Sequence, residues 1–366
     1  MPRLSDRVGT FTDSVIRRMT RINNQYDSIN LSQGFPDFDP PKELTDALAK
    51  AAHDGPHQYA VTFGAQNFRE ALAKKTSPAL HHEVDPNTEI CVTCGGTEAM
   101  MAAMMTICNP GDKVVVFSPF YENYGADAIL SGADPIFVPL VPPDYHFDAS
   151  LIEAAFRDEG AKAIIVCNPS NPCGKVFTRD ELMTIGELAK KYDAFVVTDE
   201  VYEHMVYAPN KHICMASLPG MWERTITCNS LSKTYNLTGM RVSFVVGNRD
   251  LIAKFRAFRS QIDYGTFYPI QAGAVAALNG PQDIVMRNRK GYMARRDALC
   301  GGLRSIGWNV PDSKGTMFVW APIPASYTSS EKFTLDLMEK SGVIVVPGSS
   351  FGSLGEGYVR MALVLD

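Results

Sequence analysis

The sequence predicts an α/β fold in which helices cover both faces of a mostly parallel β-sheet. Short apolar runs alternate with helical patterns along the middle of the chain, as at Ala163–Cys167, Arg179–Lys191 and residues 195–198. Strands that read as continuous apolar runs are typical of parallel sheets that are buried on both faces. With 366 residues, the chain is also longer than one hydrophobic core usually supports, which favours two domains.

Each element is predicted from the spacing of its apolar residues. Helices, where apolar residues recur every three or four positions, are expected at residues 11–22, 41–53, 66–75, 98–108, 179–191, 250–262, 270–279, 282–303 and 331–341. Strands, where compact apolar runs end at turn residues, are expected at residues 29–33, 89–93, 113–118, 163–167, 195–198, 225–228, 242–246, 318–322 and 343–347, with Trp308 in a further strand-like position. The helix at 282–303 is long enough to join two domains, and the chain after it reads as a smaller α+β unit.

Composition and charge argue against several classes of protein. Hydrophobic residues make up 45% and charged residues 20% of the chain, which is ordinary for a soluble globular protein. A formal net charge of -5 gives no electrostatic reason to expect nucleic acid or an anionic membrane as a partner. No apolar run approaches the ~18 residues of a membrane span, and the start of the chain lacks the apolar core of a signal peptide. We therefore expect a cytoplasmic protein.

The cysteines indicate neither disulfides nor a metal site. Eight cysteines are scattered along the chain, and Cys91 and Cys94 form a C-x-x-C without the second pair that a zinc site requires. Cys91 lies in an apolar run, which indicates a buried free thiol. We predict no bound metal.

One stretch, residues 229–241, places Lys233 between two apolar strand-like runs. A lysine that is buried between strands loses solvation, which lowers its pKa and makes it a candidate nucleophile. The hydroxyls of Ser230 and Ser232 and the guanidinium of Arg241 would suit a phosphate group beside it. The alternative is a Ser/Thr-rich loop in which the lysine and the arginine occur by chance.

The pattern S-x-S-K-x-x-x-x-x-G-x-R at residues 230–241 resembles the cofactor-lysine segment of the class I and II aminotransferases, the fold-type I enzymes of pyridoxal 5'-phosphate (PLP). Other motifs of the family follow in family order from Asn30 to Arg360. The resemblance implies that PLP is the cofactor and that Lys233 forms the internal aldimine with it. Once substrate frees the lysine, Lys233 would carry a proton between the substrate Cα and the cofactor C4′.

A glycine pair follows the strand predicted at residues 89–93 and leads into a helix. The backbone N–H groups and the positive helix end at such a turn can bind an anion, although an ordinary N-cap turn has the same appearance. The resemblance assigns this turn, with the polar groups of the lysine segment, to the cofactor phosphate. The residues so assigned are Gly95, Gly96, Thr97, Ser230, Ser232 and Arg241.

Further cofactor contacts are implied by the resemblance, each in a segment that follows a predicted strand. Tyr121 corresponds to the aromatic side chain that stacks on the pyridine ring. Asn171 and Tyr202 correspond to the two donors to the phenolate oxygen of the cofactor. Asp199 would face the pyridine nitrogen and keep it protonated, which makes the ring an electron sink. Without the resemblance, an Asn-Pro turn would explain Asn171, and an acidic helix N-terminus would explain Asp199.

The resemblance implies a substrate site built from both ends of the chain. The N-L-S-Q-G-F-P-D-F segment, residues 30–38, lines this site in the family, where Gly34 lets the backbone approach the substrate carboxylate. Arg360, in an apolar strand, corresponds to the arginine that clamps the substrate α-carboxylate, with Asn171 beside it. A plain turn at Gly34 and a structural ion pair at Arg360 are the alternatives.

Domain organisation and assembly also follow from the resemblance. It implies a large PLP-binding domain, residues 41–278, with a seven-stranded-type sheet, and a small domain that residues 1–40 and 279–366 form together. The family's counterpart of Tyr59 reaches the cofactor phosphate of the partner subunit, so we expect a homodimer with shared active sites. A simply packed tyrosine is the alternative.

The expected function is PLP-dependent transfer of an amino group between an α-amino acid and a 2-oxo acid in amino-acid metabolism. Residues 30–38 are most similar to the kynurenine, glutamine and methionine transaminases, and Thr97 stands where an aspartate-specific branch has a lysine. A β-lyase of the cysteine-S-conjugate type would share Lys233, Asp199 and Asn171, and a PLP-binding regulator without turnover is the other alternative. Family members usually continue for another helix where this sequence ends, so we expect the small domain to lack one packing element or the chain to be part of a longer one.

Overall fold

The computed structural model describes residues 29–365 and, before them, only positions 2, 5, 9, 18, 19 and 21. The helix predicted at residues 11–22 therefore lies mostly outside the described residues. The strands in this part of the chain, β1 to β12, are Ile29–Asn30, Ile90–Thr93, Lys113–Ser118, Asp134–Pro139, Ala163–Cys167, Phe195–Asp199, Thr225–Ser230, Ser243–Gly247, Phe318–Pro322, Val343–Ile344, Val346–Pro347 and Tyr358–Ala362. The helices, α1 to α11, are Lys42–Asp54, Gln66–Leu80, Gly96–Ile107, Asn123–Leu130, Ala149–Arg157, Arg179–Lys191, Leu231–Thr234, Arg249–Arg259, Tyr268–Asn279, Asp283–Ser305 and Ser330–Ser341.

Seven of these strands form one mixed sheet in the order β2-β8-β7-β6-β5-β3-β4. Within it, β8 runs antiparallel to β2 and β7, whereas the remaining strands are parallel to one another. The predicted mostly parallel sheet is thus confirmed. Because the parallel strands point the same way, their carboxyl ends meet at one edge of the sheet, where ligands gather in folds of this kind.

Alternate residues of the central strands pack on opposite faces of the sheet, as successive side chains of a strand must. Val115 and Ile164 belong to an apolar cluster on one face, which α5 and α6 cover. Val114 and Ile165 belong to a cluster on the other face, which α3, α4 and α8 cover. Burial on both faces explains why these strands read as continuous apolar runs.

The bounds of several elements, α6 among them, are predicted correctly because residues typical of helix or strand ends stand there. Thr178 and Glu181 form a capping box at its start, and Lys190 and Lys191 stand in its last turn, where they complement the helix dipole. Helix α2 continues past its predicted end to Leu80, because that leucine is buried in the core.

Two expectations for the carboxyl-terminal part of the chain are wrong in detail. Trp308 lies in no strand of the described chain; its indole Nε1 donates to the backbone oxygen of Pro322, the last residue of β9. The run at 343–347 is not one strand but two, because β10 pairs with β1 while β11 pairs with β12. Strand β4 and helices α4 and α5 were not predicted.

A smaller unit joins the two ends of the described chain. Its sheet is antiparallel, in the order β11-β12-β9, and α10 and α11 contact it. Strand β1 pairs in parallel with β10, so that Ile29 lies opposite Val343. The predicted small unit from both chain ends is confirmed, and its division from the large domain at residues 40/41 and 278/279 stays a prediction.

Three general features bear on function. None of the helices in the described residues combines the length and apolar character that a membrane span requires. Nor do the described His, Cys, Asp and Glu side chains form a group that could hold a metal ion. All eight cysteines are free thiols, and each except Cys94 is buried.

Candidate active site

A cavity of about 470 Å³ lies at the carboxyl edge of the seven-stranded sheet. Segments that follow β2, β3, β5, β6 and β7 line it, and β9 and β12 of the smaller unit close it. Its lining residues are Gly34, Phe35, Gly96, Thr97, Met100, Tyr121, Glu122, Asn123, Tyr124, Asn171, Asp199, Val201, Tyr202, Ser230, Ser232, Lys233, Thr238, Arg241, Phe318 and Arg360. Every site residue predicted from the sequence is among them except Gly95 and Tyr59.

Lys233 extends into the cavity from α7, the short helix that follows β7. Its Nζ donates a hydrogen bond to the backbone oxygen of Gly34, which connects the two halves of the cavity wall. Burial, with the positive charges of Arg360 and Arg241, lowers the pKa of Lys233 to about 8. About a tenth of the amine is therefore uncharged at pH 7, far more than for an exposed lysine, as a nucleophilic lysine requires.

The two serine hydroxyls beside Lys233 differ in their hydrogen bonding. Ser230 Oγ accepts from the backbone N–H of Ser232 at 3.1 Å and donates to the backbone oxygen of Val242 at 3.3 Å, so it serves mainly as the cap of α7. Ser232 Oγ is buried beside the cavity and has no hydrogen-bond partner among the described residues. Because an unpartnered buried hydroxyl is unfavourable, Ser232 is the better donor for a ligand.

Arg241 and the turn at Gly95 and Gly96, which we call the glycine turn, form the other side of the polar region around Lys233 and the two serines. Gly95 has a φ of +84°, and a Cβ at this position would lie 2.1 Å from Nη2 of Arg241. Only glycine therefore lets the guanidinium pack against the turn. Gly96 begins α3, and Thr97 follows it, so backbone N–H groups and a partial positive charge lie at the cavity wall. Together these groups can hold a phosphate-like anion.

Asp199, the last residue of β6, places a buried carboxyl group at the base of the cavity. Its Oδ2 accepts from the hydroxyl of Tyr124 at 2.7 Å, and its Oδ1 accepts from the N–H of Val201 at 3.2 Å. Burial raises the pKa of the Asp199 carboxyl, and the two hydrogen bonds oppose that rise. Tyr124 was missed in the sequence, although it stands three residues after Tyr121 in the same segment behind β3.

A second buried acid, also missed, stands behind this pair. Asp127 lies one turn after Tyr124 in α4, and its Oδ2 has no hydrogen-bond partner in the described part of the chain. Burial, and then the charge of Asp199, raises the pKa of Asp127 to about 8. Asp127 is therefore mostly protonated at pH 7. In the sequence it cannot be told from an aspartate on a helix surface.

Arg360 lies in β12, the middle strand of the antiparallel sheet, and is 1% exposed. Its Nη1 donates to Oδ1 of Asn171 at 3.0 Å, and its Nη2 donates to the backbone oxygen of Ser32 at 3.1 Å. The guanidinium lies 4.1 Å from the centre of the Phe318 ring, and burial lowers the pKa of Arg360 to about 10. Within the described residues no carboxylate forms an ion pair with it, although the charge of Glu122 in the cavity wall partly offsets its own.

The remaining predicted contacts are aromatic or amide groups of the cavity wall. Tyr202 is buried, and its ring packs edge-on against Phe318 with the ring centres 5.9 Å apart. Burial raises the pKa of Tyr121 to about 12 and that of Tyr202 well above its usual value, so both phenols keep their protons at pH 7. Asn171 is buried and, through its contact with Arg360, belongs to both halves of the site.

Tyr59 lies outside the cavity, on an exposed surface. It is 85% exposed, and the centre of its ring lies 5.6 Å from that of Tyr264. Val61, Ile262 and Phe267, which flank these two tyrosines in the chain, are also exposed. We call these five residues the aromatic patch. An exposed apolar surface of this kind marks an interaction site.

The cavity can thus serve a phosphorylated cofactor and a substrate that carries a carboxylate. A lysine with a lowered pKa lies between a cup for an anion and a buried arginine. A carboxyl group held by Tyr124 stands at the base. These are the groups that an enzyme needs to bind a cofactor covalently and to move protons at a carbon atom next to it.

Comparisons with known proteins agree with this geometry. Residues 26–366 match the family described as aminotransferase class I and II. The probable N-succinyldiaminopimelate aminotransferase DapC of Mycobacterium tuberculosis is 37% identical over 348 residues, which are 94% of this chain and 87% of that protein. The aspartate aminotransferase of Pyrococcus abyssi is 34% identical over 98% of this chain and 93% of its own length.

Solved structures give the same result. N-succinyldiaminopimelate aminotransferase from Mycobacterium tuberculosis has a TM-score of 0.94 at 35% identity, covering 99% of this chain and 96% of that one. YbdL from Escherichia coli, described as having a methionine aminotransferase function, has a TM-score of 0.95 at 28% identity, covering 100% and 96%. Each of these proteins is named as an aminotransferase, which does not favour the β-lyase alternative. Their substrate names differ, so the expected kynurenine, glutamine and methionine group stays a prediction.

Proposed function

Because the chain belongs to the class I and II aminotransferases, we propose that it moves an amino group between an α-amino acid and a 2-oxo acid with PLP bound in this cavity at Lys233. One observation carries the site assignment. The same cavity holds Lys233, whose pKa is lowered to about 8, and Arg360, a buried cation with which no described carboxylate pairs.

The groups around Lys233 fit the phosphate and the ring of PLP. Ser232 Oγ is buried and has no partner among the described residues, and Gly95 makes room for the guanidinium of Arg241. Both suit a phosphate group, which takes several hydrogen bonds and a positive charge. The residues that would hold the cofactor are Gly95, Gly96, Thr97, Tyr121, Asn171, Asp199, Tyr202, Ser230, Ser232 and Arg241, with Tyr59 of the partner subunit.

Lys233 is the proton carrier of the reaction. When bound, PLP supplies the electron sink that stabilises the negative charge left at the substrate Cα. Lys233 accepts the Cα proton at Nζ and donates it in the next step. A pKa of about 8 suits both tasks, because the uncharged amine and the ammonium are both accessible near neutral pH. The backbone oxygen of Gly34 accepts a hydrogen bond from Nζ and limits where the amine can point.

Asp199 would stabilise a positive charge at the ring nitrogen of the bound cofactor. Its carboxylate is oriented by Tyr124 and by the N–H of Val201. Asp127, protonated behind it, adds no second negative charge at pH 7. One net negative charge at this end of the cavity matches one positive charge on the ring.

Arg360 binds the α-carboxylate of the substrate, and the substrate side chain is uncharged. Among the described residues that line the cavity, the cations are Lys233, Arg241 and Arg360. Each already has a role in the proposal, so none remains for a second carboxylate. The aromatic side chain of Phe35 favours an apolar or aromatic group.

The working enzyme is a homodimer in which the aromatic patch is covered by a second copy of the chain. Tyr59 and Tyr264, at the centre of the patch, would otherwise expose large apolar rings to water. Arg241 is also exposed in the single chain, although it belongs to the phosphate region. Tyr59 of the partner subunit would reach the phosphate beside it. The two-domain division at residues 40/41 and 278/279 belongs to the same proposal.

A half-reaction with single amino acids tests the activity. The PLP-loaded protein is mixed with one amino acid at a time, without any oxo acid, and its absorbance spectrum is followed. We expect the cofactor to pass to its amine form and to return to its aldehyde form when a 2-oxo acid is added.

Two other outcomes would contradict the proposal. Release of ammonia and a 2-oxo acid without the spectral change would indicate a β-lyase. A spectrum that no amino acid changes, over a panel of charged, apolar and aromatic side chains, would indicate PLP binding without turnover. Rapid reaction with aspartate or glutamate alone would contradict only the uncharged side chain.

A further inference from the structure

One buried arginine connects the glycine turn of the cavity to the aromatic patch. Arg259 is the last residue of α8 and is 0% exposed. Within the described part of the chain, Arg259 and Arg360 are the largest side chains that are fully buried. Arg360 lines the cavity, whereas Arg259 does not. A buried guanidinium needs several partners to offset its lost hydration, and these partners define what Arg259 holds together.

On the cavity side, Arg259 contacts Glu98. Its Nε lies 3.3 Å from Oε1 of Glu98, an ion pair without hydrogen-bond geometry, and Oε2 of Glu98 accepts from the backbone N–H of Cys94. Glu98 thus ties the start of the glycine turn to the first turn of α3. The N–H groups at Gly96 and Thr97, which face the cavity, depend on the conformation that this tie fixes.

On the surface side, Arg259 holds both segments of the aromatic patch. Its Nη1 donates to the backbone oxygen of Thr62, and its Nη2 donates to Oδ2 of Asp263 at 3.0 Å. Oδ1 of Asp263 in turn accepts from the N–H of Gly265 at 2.6 Å. Gly265 has a φ of +120°, and a Cβ there would lie 3.1 Å from the backbone oxygen of Ala60. Residues 60–62 and 263–265 are therefore packed together beside the exposed tyrosines.

The charges of Glu98 and Asp263 make the contacts of Arg259 sensitive to a movement of either carboxyl group. Burial raises the pKa of the Glu98 carboxyl, Arg259 opposes the rise, and the nearby Asp263 adds to it. Two carboxyl groups thus share one guanidinium. If one of them moves away, Arg259 loses a partner and the remaining contacts must adjust, because an unbalanced buried charge is unfavourable.

We propose that Arg259 is a positioning residue that couples cofactor binding at the glycine turn to self-association through the aromatic patch. The inference rests on the proposed function, in which the PLP phosphate occupies the turn and a second copy covers the patch. A phosphate at Gly96 and Thr97 orders the turn, which fixes Glu98 and, through Arg259, the segments that carry Thr62 and Asp263. By linkage, a second copy that orders the patch also strengthens cofactor binding at each of the two sites of the dimer.

The test compares the dimer dissociation constant with and without PLP, measured by sedimentation on the full-length protein. The background is Tyr59→Phe, which removes direct contact between the tyrosine hydroxyl and the neighbouring phosphate. In this background we expect saturating PLP to tighten the dimer by about 5- to 150-fold, the usual range of coupling between sites. In Arg259→Gln the factor should fall toward one. The PLP dissociation constant, measured below and above the dimer midpoint, should show the same loss.

Arg256→Gln is the matched control. Arg256 lies one turn earlier in the same helix and donates to the backbone oxygens of Ile90 and Asn87. Its loss also removes contacts between an arginine and backbone oxygens but leaves the contacts of Arg259 with Glu98 and Asp263 in place. The coupling factor should remain that of the background protein. Arg259→Lys keeps the charge without the planar fork and should give an intermediate factor.

The outcomes separate this inference from the proposed function. If Arg259→Gln does not fold, Asp263→Asn removes the acidic partner of Arg259 on the surface side and keeps the contact between Arg259 and Glu98, and it should lower the coupling factor. A coupling factor that neither Arg259→Gln nor Asp263→Asn lowers overturns the inference and leaves the proposed function intact. An unaltered chain that binds no PLP, or does not dimerise, overturns the proposed function itself.

Discussion

The hydroxyl of Tyr124 donates a 2.7 Å hydrogen bond to Oδ2 of Asp199 and thereby joins the first turn of α4 to the carboxyl end of β6. The bond opposes the rise in the pKa of Asp199 that burial causes. In Tyr124→Phe the pKa of Asp199 should rise, and its carboxylate should stabilise the charge on the cofactor nitrogen less well. We expect kcat to fall about tenfold, as the loss of ~1.4 kcal/mol implies, and the acid limb of the pH–rate profile to move to higher pH.

Tyr207→Phe is the control for this variant. Tyr207 is equally buried and loses a 2.6 Å hydrogen bond to the backbone oxygen of Thr316, outside the cavity. Its kcat and pH profile should match those of the unaltered enzyme. An acid limb that does not move in Tyr124→Phe would show that Tyr124 only packs.

Lys233 should react with PLP at a rate that depends on pH with a midpoint near 8. Below that pH the amine is mostly protonated, so the rate of incorporation should rise about tenfold per pH unit and level off above it. Borohydride reduction and peptide mapping should place the cofactor on Lys233. Lys175→Ala is the control, because Lys175 is also buried but is paired with Glu181 at 2.6 Å. Label on any residue other than Lys233 would defeat the site assignment.

Ionisation of the buried Asp127 carboxyl group should make the folded protein less stable as pH rises. The pKa of Asp127 is about 8 in the folded chain and 3.8 in an unfolded chain, so the folded state binds more protons between these limits. The contribution of protonated Asp127 to the free energy of unfolding is complete below pH ~4 and is lost as pH rises through 8. Between these limits that free energy falls by on the order of 5 kcal/mol. Asp127→Asn should therefore raise the melting temperature at pH 8 and flatten its pH dependence.

An exposed aspartate provides the comparison for this titration. Asp134→Asn, at the start of β4, should keep the pH dependence of the unaltered protein. A melting temperature that varies with pH in the same way in Asp127→Asn would mean that Asp127 ionises normally in the folded chain.

Arg360→Lys should lower kcat/KM for an amino acid and spare its decarboxylated amine. Lysine keeps the charge but loses the two-pronged contact, and each charge-assisted hydrogen bond is worth roughly 1.5–3 kcal/mol, so we expect a fall of about tenfold or more. PLP binding should be retained. Arg296→Lys is the control, because Arg296 also lies over an aromatic ring, that of Tyr207 at 4.7 Å, but outside the cavity. Equal effects of Arg360→Lys on acid and amine would make Arg360 a structural residue.

Tyr264→Glu should convert the dimer to monomer. It places a charge at the centre of the aromatic patch, where a second copy would bury it without a partner. Sedimentation at assay concentration measures the change. Ile306→Glu is the control, because Ile306 is 78% exposed at the end of α10 and is not part of the patch. A dimer that survives Tyr264→Glu would place the interface elsewhere.

The central strands could be predicted from the sequence because burial on both faces leaves continuous apolar runs. Strand β4 could not. It is the edge strand of the sheet, and Asp134 and Phe137 are exposed, so its sequence D-P-I-F-V-P has neither a continuous apolar run nor a regular alternation. The short helix α4 has the same difficulty, since eight residues hold too few turns for a clear period.

The positions of the site residues could be predicted because parallel strands bring their carboxyl ends together. The contacts among them could not. Tyr124 and Asp199 are 75 positions apart, and Arg360 and Asn171 are 189 apart, so no local pattern reports their distance. The buried state of Asp127 likewise results from the packing of α4 on the sheet.

The parallel pairing of Ile29 with Val343 sets the order in which a growing chain can assemble. Residues 29–31 are synthesised roughly 300 residues before their partners, which corresponds to on the order of 15 to 60 seconds at about 5–20 residues per second. The last strand of the large sheet ends at Gly247, so that sheet can close during the wait. Among the predicted site residues, Arg360 is synthesised last. A nascent chain can therefore bring together its own cofactor-binding residues before Arg360, which would bind the substrate, has been synthesised.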